Sequence, residues 1–198
     1  MKKILAAFLL LVCANAIGQD VVSTDSVSGK NIVLMDPIRG KAVSQNGYVD
    51  TKLTFRDFAG TTMDGKIFTQ DSLKNKVTFI NFWFEHCAPC VAEFDALNSL
   101  YNKYRNNPGF QFISITYEKN QDIKRIAKKY HMDYPVISVE SDKIYQLIYN
   151  LGFPTNIIVD QSGKISFMIS GGSLEKERIQ QAFDKIFSKQ IDRILLPQ

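Results

Sequence analysis

Residues 77–84 read Val-Thr-Phe-Ile-Asn-Phe-Trp-Phe, a run that is almost wholly apolar and rich in β-branched and aromatic side chains. A strand of that composition has both faces in apolar surroundings, so it belongs inside a sheet that is covered on both sides. Immediately beyond it stands Cys87-Ala88-Pro89-Cys90, and then Val91, Phe94, Leu97, Tyr101 and Tyr104 recur at three- and four-residue spacing. That spacing places them on one face of a helix. The chain is thus committed to an α/β layer structure in which a central strand delivers two cysteines to the first turn of a covering helix.

The remaining punctuation extends the pattern. Residues 53–58 and 66–68 flank Asp64-Gly65, a hairpin signal. Asn106-Asn107-Pro108-Gly109 ends the helix that carries the cysteines. Strands are expected at 110–117, 135–139, 155–159 and 164–169, the last two joined by Asp160-Gln161-Ser162-Gly163. Helices are expected at 121–130, 141–149 and 174–188. The order β-β-β-α-β-α-β-α-β-β-α implies a central mixed β-sheet with helices on both faces. The reading divides the chain into residues 1–18, an irregular N-terminal extension with some β character at 19–52, and one α/β domain at 53–198. In the extension only residues 32–35 form an apolar patch.

Residues 1–18 have the layout of a secretory signal peptide. Lys2 and Lys3 form a positive start, residues 4–12 are an unbroken apolar run, and Ala14-Asn15-Ala16 and Ala16-Ile17-Gly18 offer small–x–small cleavage patterns. Nine apolar residues fall short of the ~20 that span a bilayer, although an uncleaved membrane anchor is the competing reading. Val12 before Cys13 is a poor lipidation signal. An exported, periplasmic location follows. Removal of the leader takes two lysines and leaves 22 basic against 20 acidic residues. The whole chain carries only +4 with no long basic run, which gives no electrostatic case for nucleic acid.

Without Cys13 two cysteines remain, and one closely spaced pair in an oxidising compartment points to working chemistry rather than a disulfide framework. At a helix start, free N–H groups and the positive end of the helix dipole stabilise a thiolate. Pro89 is tolerated there because no backbone bond is lost. Cys87, at the junction, is the expected nucleophile, and Cys90, one turn deeper, the resolving thiol. Zinc would require both histidines, His86 and His131, and haem attachment fails because Val91 follows Cys90. Two other functions stay open. A peroxidase would want Thr-x-x-Cys, but position 84 is Phe. A copper(I)-binding, metal-delivery protein would add a distant histidine, for which His131 is the candidate.

The stretch from Asn81 to Cys90 resembles the thioredoxin-superfamily active site, Phe-Trp-x-x-x-Cys-x-x-Cys, and Gly152-Phe153-Pro154-Thr155 resembles its cis-proline loop. Within that superfamily the chain looks most like the TlpA/ResA-like exported disulfide reductases. It shares Val91-Ala92-Glu93-Phe94 after the second cysteine, Glu118 closing a strand, and Tyr134-Pro135-Val136 ahead of Ser141-Asp142. The resemblance implies a thioredoxin-like fold and thiol–disulfide oxidoreductase activity. The Cys87–Cys90 disulfide is its only redox group, with no other cofactor and no metal. It implies disulfide-containing protein substrates, for example apocytochrome c cysteines, and a membrane-embedded thiol electron donor. By the same resemblance Pro154 lies beside Cys87 and Phe153 offers backbone groups to the substrate. Trp83 and His86 join the substrate-binding side. Asn81 stands where cytoplasmic thioredoxins place a buried Asp, which leaves Glu93 as the candidate proton shuttle. His86 replaces a usual Trp, and a cationic imidazole there would favour the Cys87 thiolate.

Overall fold

The structure is a computed structural model that describes residues 53–196. The expected leader at 1–18, Cys13 and the extension at 19–52 lie outside the described residues. Seven strands form one mixed sheet: β1 (Ala59–Thr62), β2 (Ile67–Thr69), β3 (Val77–Phe82), β4 (Phe110–Thr116), β5 (Val136–Ser138), β6 (Thr155–Val159) and β7 (Ile165–Ser170). Their spatial order is β2-β1-β5-β4-β3-β6-β7. The pairs β3–β4 and β4–β5 are parallel, and the other four neighbouring pairs are antiparallel. β3 therefore lies in the interior, and all six of its residues are buried, as its composition requires.

Alternation along the strands divides the interior into two cores. On one face Val77, Phe79 and Trp83 of the central run meet Phe112 and Ile158 and are covered by α1 (Ala88–Ala92), α2 (Phe94–Tyr104), α3 (Asn120–Lys129), α5 (Lys176–Ala182) and α6 (Ser188–Leu195). Phe79 stacks on Phe112 at 5.2 Å and meets Phe187 edge-on at 5.3 Å. On the other face Ile80, Phe82, Ile113, Ile115 and Ile157 meet α4 (Ser141–Leu147) through Ile144 and Leu147. Both expected layers are present.

The structure departs from the sequence reading at three places. The first strand is not 53–58 but Ala59–Thr62, which pairs with β2 across the Asp64-Gly65 turn, Gly65 taking φ 85°. Residues 53–58 make only one bridge, Thr54 to Lys164, while Phe55 and Phe58 drop into the second core and Arg56 and Asp57 stay exposed. Their apolar positions do not alternate, so they cannot present one strand face. The cysteine helix is divided at Glu93, whose N–H bonds the Cys90 carbonyl three residues back at 3.1 Å, a local tightening of the helix. The last helix runs through a π-helical turn, Phe183–Phe187, and continues past residue 188 to Leu195. Tyr104 ties that extension down: its hydroxyl donates to Asp192 Oδ1 at 2.6 Å and lies 3.2 Å from the Ser188 carbonyl oxygen, linking α6 to α2.

Candidate active site

β3 ends at Phe82, and Trp83 to His86 carry the chain to Cys87, the N-cap of α1. Cys87 and Cys90 form a disulfide with their Cα atoms 5.2 Å apart. The Cys90 N–H points at Cys87 Sγ at 3.3 Å, so a backbone donor of the first turn already faces that sulfur. This is the placement that stabilises a thiolate after reduction. Cys90 is fully buried, whereas Cys87 keeps 6% of its surface. Cys87 is thus the less buried of the two cysteines.

The loop before Cys87 is held from two sides. Glu118 Oε1 accepts the Glu85 N–H at 2.9 Å. Arg125 of α3 grips the Glu85 carboxylate with both terminal nitrogens at 2.7 Å, which lowers the Glu85 pKa. His86 is exposed directly beside Cys87. Trp83 is 0% exposed and packs edge-on against Phe94 at 5.2 Å. With no exposed surface Trp83 does not join the substrate-binding side; it packs in the core against the active-site loop, the other role its position allows.

The Phe153–Pro154 peptide is cis, as the motif implies. Phe153 meets Phe84, three residues before Cys87, edge-on at 5.2 Å, so the proline loop lies against the cysteine loop. Tyr117 and Tyr145 join the same cluster at 6.1 and 5.7 Å from Phe153. Phe84, Tyr117 and Phe153 are half-buried and Tyr145 is exposed, which forms an aromatic rim beside the disulfide. The Pro154 carbonyl accepts the Gly171 N–H at 2.8 Å. Gly172 follows so closely that a Cβ there would stand 2.8 Å from Pro154 Cγ and 3.2 Å from Glu93 Oε1.

Glu93 is not a solvated helix residue. It is 5% exposed, and burial pushes its carboxyl pKa up to about 8, opposed by a hydrogen bond from Asn156. That bond, Asn156 Nδ2 to Glu93 Oε2 at 3.1 Å, is the last of a buried series. Asn81 Nδ2 donates to Asn156 Oδ1 at 2.9 Å, and Ser114 Oγ donates to Asn81 Oδ1 at 3.0 Å. Asn81 is the register partner of both Ser114 and Asn156, so three adjacent strands present one polar row toward Glu93. The sequence reading found Asn81 and Glu93 but missed Ser114 and Asn156. Asn156 could have been noticed as a lone amide directly before the apolar run Ile157-Ile158-Val159, a placement that is costly unless paired.

Beside Glu93 and Asn156 opens a cavity of about 350 Å³, lined also by Gly172, Ile179 and Phe183. Among the described residues no group of three or more His, Cys, Asp or Glu side chains is gathered as a metal site would require. His131 lies just past the end of α3, exposed, with φ 51°.

Comparisons with known proteins agree with this geometry. A model of the AhpC/TSA family matches residues 52–168. The thiol-disulfide oxidoreductase ResA of a Bacillus cereus strain is 32% identical over 132 residues, covering 66% of this chain and 75% of that protein. The protein of the same name from Geobacillus thermodenitrificans is 27% identical over 135 residues, covering 67% and 76%. Among solved structures, a thiol:disulfide interchange protein of the thioredoxin family from Chlorobium tepidum TLS matches with TM-score 0.53 at 27% identity, over 67% of this chain and 97% of that one. The thioredoxin domain of a thiol-disulfide oxidoreductase from Bacteroides vulgatus shares the fold, with TM-score 0.56 at 20% identity over 69% and 97%.

Proposed function

Because the chain belongs to the AhpC/TSA family within the thioredoxin superfamily and is a thiol–disulfide oxidoreductase, we propose that it works as a reductant of protein disulfides outside the cytoplasm. The observation that carries this reading is the Cys87–Cys90 disulfide at the head of α1, with Cys90 fully buried and Cys87 retaining 6% exposure.

In the reduced protein the Cys87 thiolate attacks one sulfur of a substrate disulfide. The other substrate sulfur leaves as a thiolate and takes a proton. Cys90 then loses its thiol proton to the Glu93 carboxylate and attacks Cys87 Sγ. This forms the Cys87–Cys90 disulfide and expels the second substrate thiolate. Two electrons pass from the cysteine pair to the substrate, and each sulfur released is protonated. Phe153 and Pro154 hold the substrate backbone, and the aromatic rim of Phe84, Tyr117 and Tyr145 accepts its apolar side chains. His86, when cationic, favours the Cys87 thiolate and makes the disulfide more oxidising. Return to the reduced state requires a thiol donor, for which we propose a membrane-embedded partner. The leader-like residues 1–18 support export. Apocytochrome c cysteines are the proposed substrate class, as the resemblance to the exported TlpA/ResA-like reductases implies.

The test is redox titration of the chain against glutathione and dithiothreitol buffers. Pairs of this kind span roughly −270 to −120 mV, and a reductase is expected toward the lower end. Cys90→Ser should accumulate a mixed disulfide with substrate through Cys87. Failure to form an intramolecular disulfide at any poise would overturn the reading and move copper(I) binding forward. A midpoint at the oxidising end would reverse the proposed direction and make His86→Trp the next variant.

A further inference from the structure

Glu93 has two oxygens, and the structure treats them differently. Oε2 accepts the amide N–H of Asn156 at 3.1 Å. Oε1 lies on the side of Gly172 and the cis proline, where a methyl group at Gly172 would stand 3.2 Å from it. Of the two carboxyl oxygens, the one that accepts from an amide is the better carbonyl-type acceptor, which favours placing the acid proton on the other oxygen.

The Asn156 amide is itself constrained. Its oxygen is occupied by Asn81 Nδ2 at 2.9 Å, and the Asn81 oxygen is occupied by Ser114 Oγ at 3.0 Å. Each amide thus has one donor and one acceptor assigned, in one direction along the row. Reversing Asn156 would set two acceptors against each other at Glu93 whenever that group is a carboxylate. All three row residues are at most 1% exposed; Asn81 and Ser114 are closed off inside the core, and only Asn156 borders the cavity beside Glu93. The row is also held in register: Asn81 is paired with Ser114 across a parallel ladder and with Asn156 across an antiparallel one, and each ladder is flanked by large apolar side chains.

We propose that Asn156 is the positioning residue of the proton-transfer site: fixed by Asn81 and Ser114, it holds Glu93 Oε2 so that Oε1, beside Gly172 and Pro154, is the atom that takes and gives the proton. This inference rests on the proposal that Glu93 accepts the Cys90 proton. It assigns a role to three residues whose side chains bond to one another and to Glu93 rather than to either cysteine sulfur. The row acts through Glu93 alone, and its aligned donors favour the carboxylate against the effect of burial.

The other titratable and charged groups around Glu93 are few. Tyr134 feels its charge through the core, and burial together with Glu93 and Asp95 raises the phenol well above its ordinary value. Across the cavity Arg178 and Glu175 pair with each other at 3.1 Å. Cys90, whose carbonyl accepts the Glu93 N–H, is in the disulfide. The sign of each substitution in the row is therefore set by the hydrogen bond it removes: loss of a donor to a carboxylate raises its pKa.

The experiment measures the Glu93 carboxyl titration by ¹³C NMR in the oxidised protein. It uses wild type, Asn156→Ala, Asn81→Ala, Ser114→Ala and Ser114→Thr. The pH–rate profile of disulfide exchange is measured beside it. Asn156→Ala should raise the Glu93 pKa by about one unit, a tenfold change in proton affinity. Asn81→Ala should raise it in the same direction, because Asn156 is released to rotate, and Ser114→Ala should follow with a smaller shift. Ser114→Thr keeps the hydroxyl and should restore the wild-type value. The pH–rate profile should move with the carboxyl. A role confined to packing would lower stability without moving either titration. If Asn156→Ala does not fold, the Ser114 variants decide alone, since Ser114→Ala removes only one hydroxyl and Ser114→Thr keeps it while adding one methyl group. An unchanged Glu93 pKa in the folded row variants would overturn the proposal while leaving the role of Glu93 intact. A wild-type pH–rate profile in Glu93→Gln would instead remove the role of Glu93 and the proposal with it.

Discussion

Glu93→Gln isolates the electrostatic cost of the site. The substitution keeps the shape of the side chain, and its amide oxygen still accepts from Asn156, but it removes the titration. In the folded protein the carboxyl titrates near 8, against an ordinary value of 4.5. Between those values the folded chain holds a proton that the unfolded chain has released. Stability from this group is therefore complete below pH 4.5, falls as pH rises through the window, and levels off above pH 8. A span of this width corresponds to about 5 kcal/mol at most. The cavity beside Glu93 makes that a ceiling, because water drawn into it would partly solvate the anion. The glutamine variant has no such slope. Its stability advantage over wild type should grow by roughly 3–5 kcal/mol from pH 5 to pH 8.5.

The assay is urea unfolding of both proteins at closely spaced pH values with the Cys87–Cys90 disulfide intact. Taking the difference between the two proteins cancels every other titrating group that the substitution leaves alone. A difference constant to within about 0.5 kcal/mol over the range would mean that Glu93 titrates alike in the folded and unfolded chains, which would refute the reasoning from burial. A difference that grew toward acid pH would refute its sign.

Two further outcomes are expected. Gly172→Ala places a methyl group against Pro154 and Glu93 Oε1; it should lower stability by ~1–3 kcal/mol and raise the Glu93 pKa by adding apolar contact, read by the same melts and carboxyl titration. Unchanged values would show that the 171–173 segment yields freely. Phe79→Ala removes a fully buried ring packed among Phe112, Phe183 and Phe187 and should cost about 3–5 kcal/mol in denaturant unfolding while leaving the reduction midpoint of the cysteine pair in place. A shifted midpoint would mean that this core is coupled to the disulfide.

What could be read from the sequence was what neighbours along the chain decide. The apolar run at 77–84, the cysteine pair at a helix start and the motif around Pro154 are local, and each lies where the pattern put it. Glu93 was half legible. It lies at helical spacing between Cys90 and Leu97, next to Phe94, and so on the inward side of its helix. A charged residue there reads as surface until the helix is docked. Asn156 and Ser114 were not legible, because their purpose depends on which strands become neighbours. The chain reaches β6 from β3 only after two other strands and the helices between them, and no local pattern says that Asn156 will face Asn81. The misplaced first strand has a similar cause: Leu53, Phe55 and Phe58 give residues 53–58 apolar positions, but Phe55 and Phe58 are buried in the α4-side core rather than set in a ladder.

The polar row also bears on why the chemistry sits on the sheet and recognition on the loops. A one-residue slip of β6 against β3 would turn Asn156 to the opposite face and Ile157 toward Glu93. It would leave a buried carboxyl and a buried amide unpaired, each at a penalty of about 1–3 kcal/mol or more. The apolar residues on both sides of the row oppose that slip, because the same shift would carry Ile158 and Val159 out of the cores they fill. The proton-handling geometry is thus held by the packing of two cores. Phe84, Tyr117, Tyr145 and Phe153, by contrast, lie at strand ends, on a helix or in loops with part of their surface open. They can adapt to a substrate chain without disturbing the row, so specificity and proton transfer are mechanically separate here, and substitutions in the aromatic rim should alter KM before they alter the pH dependence of the rate.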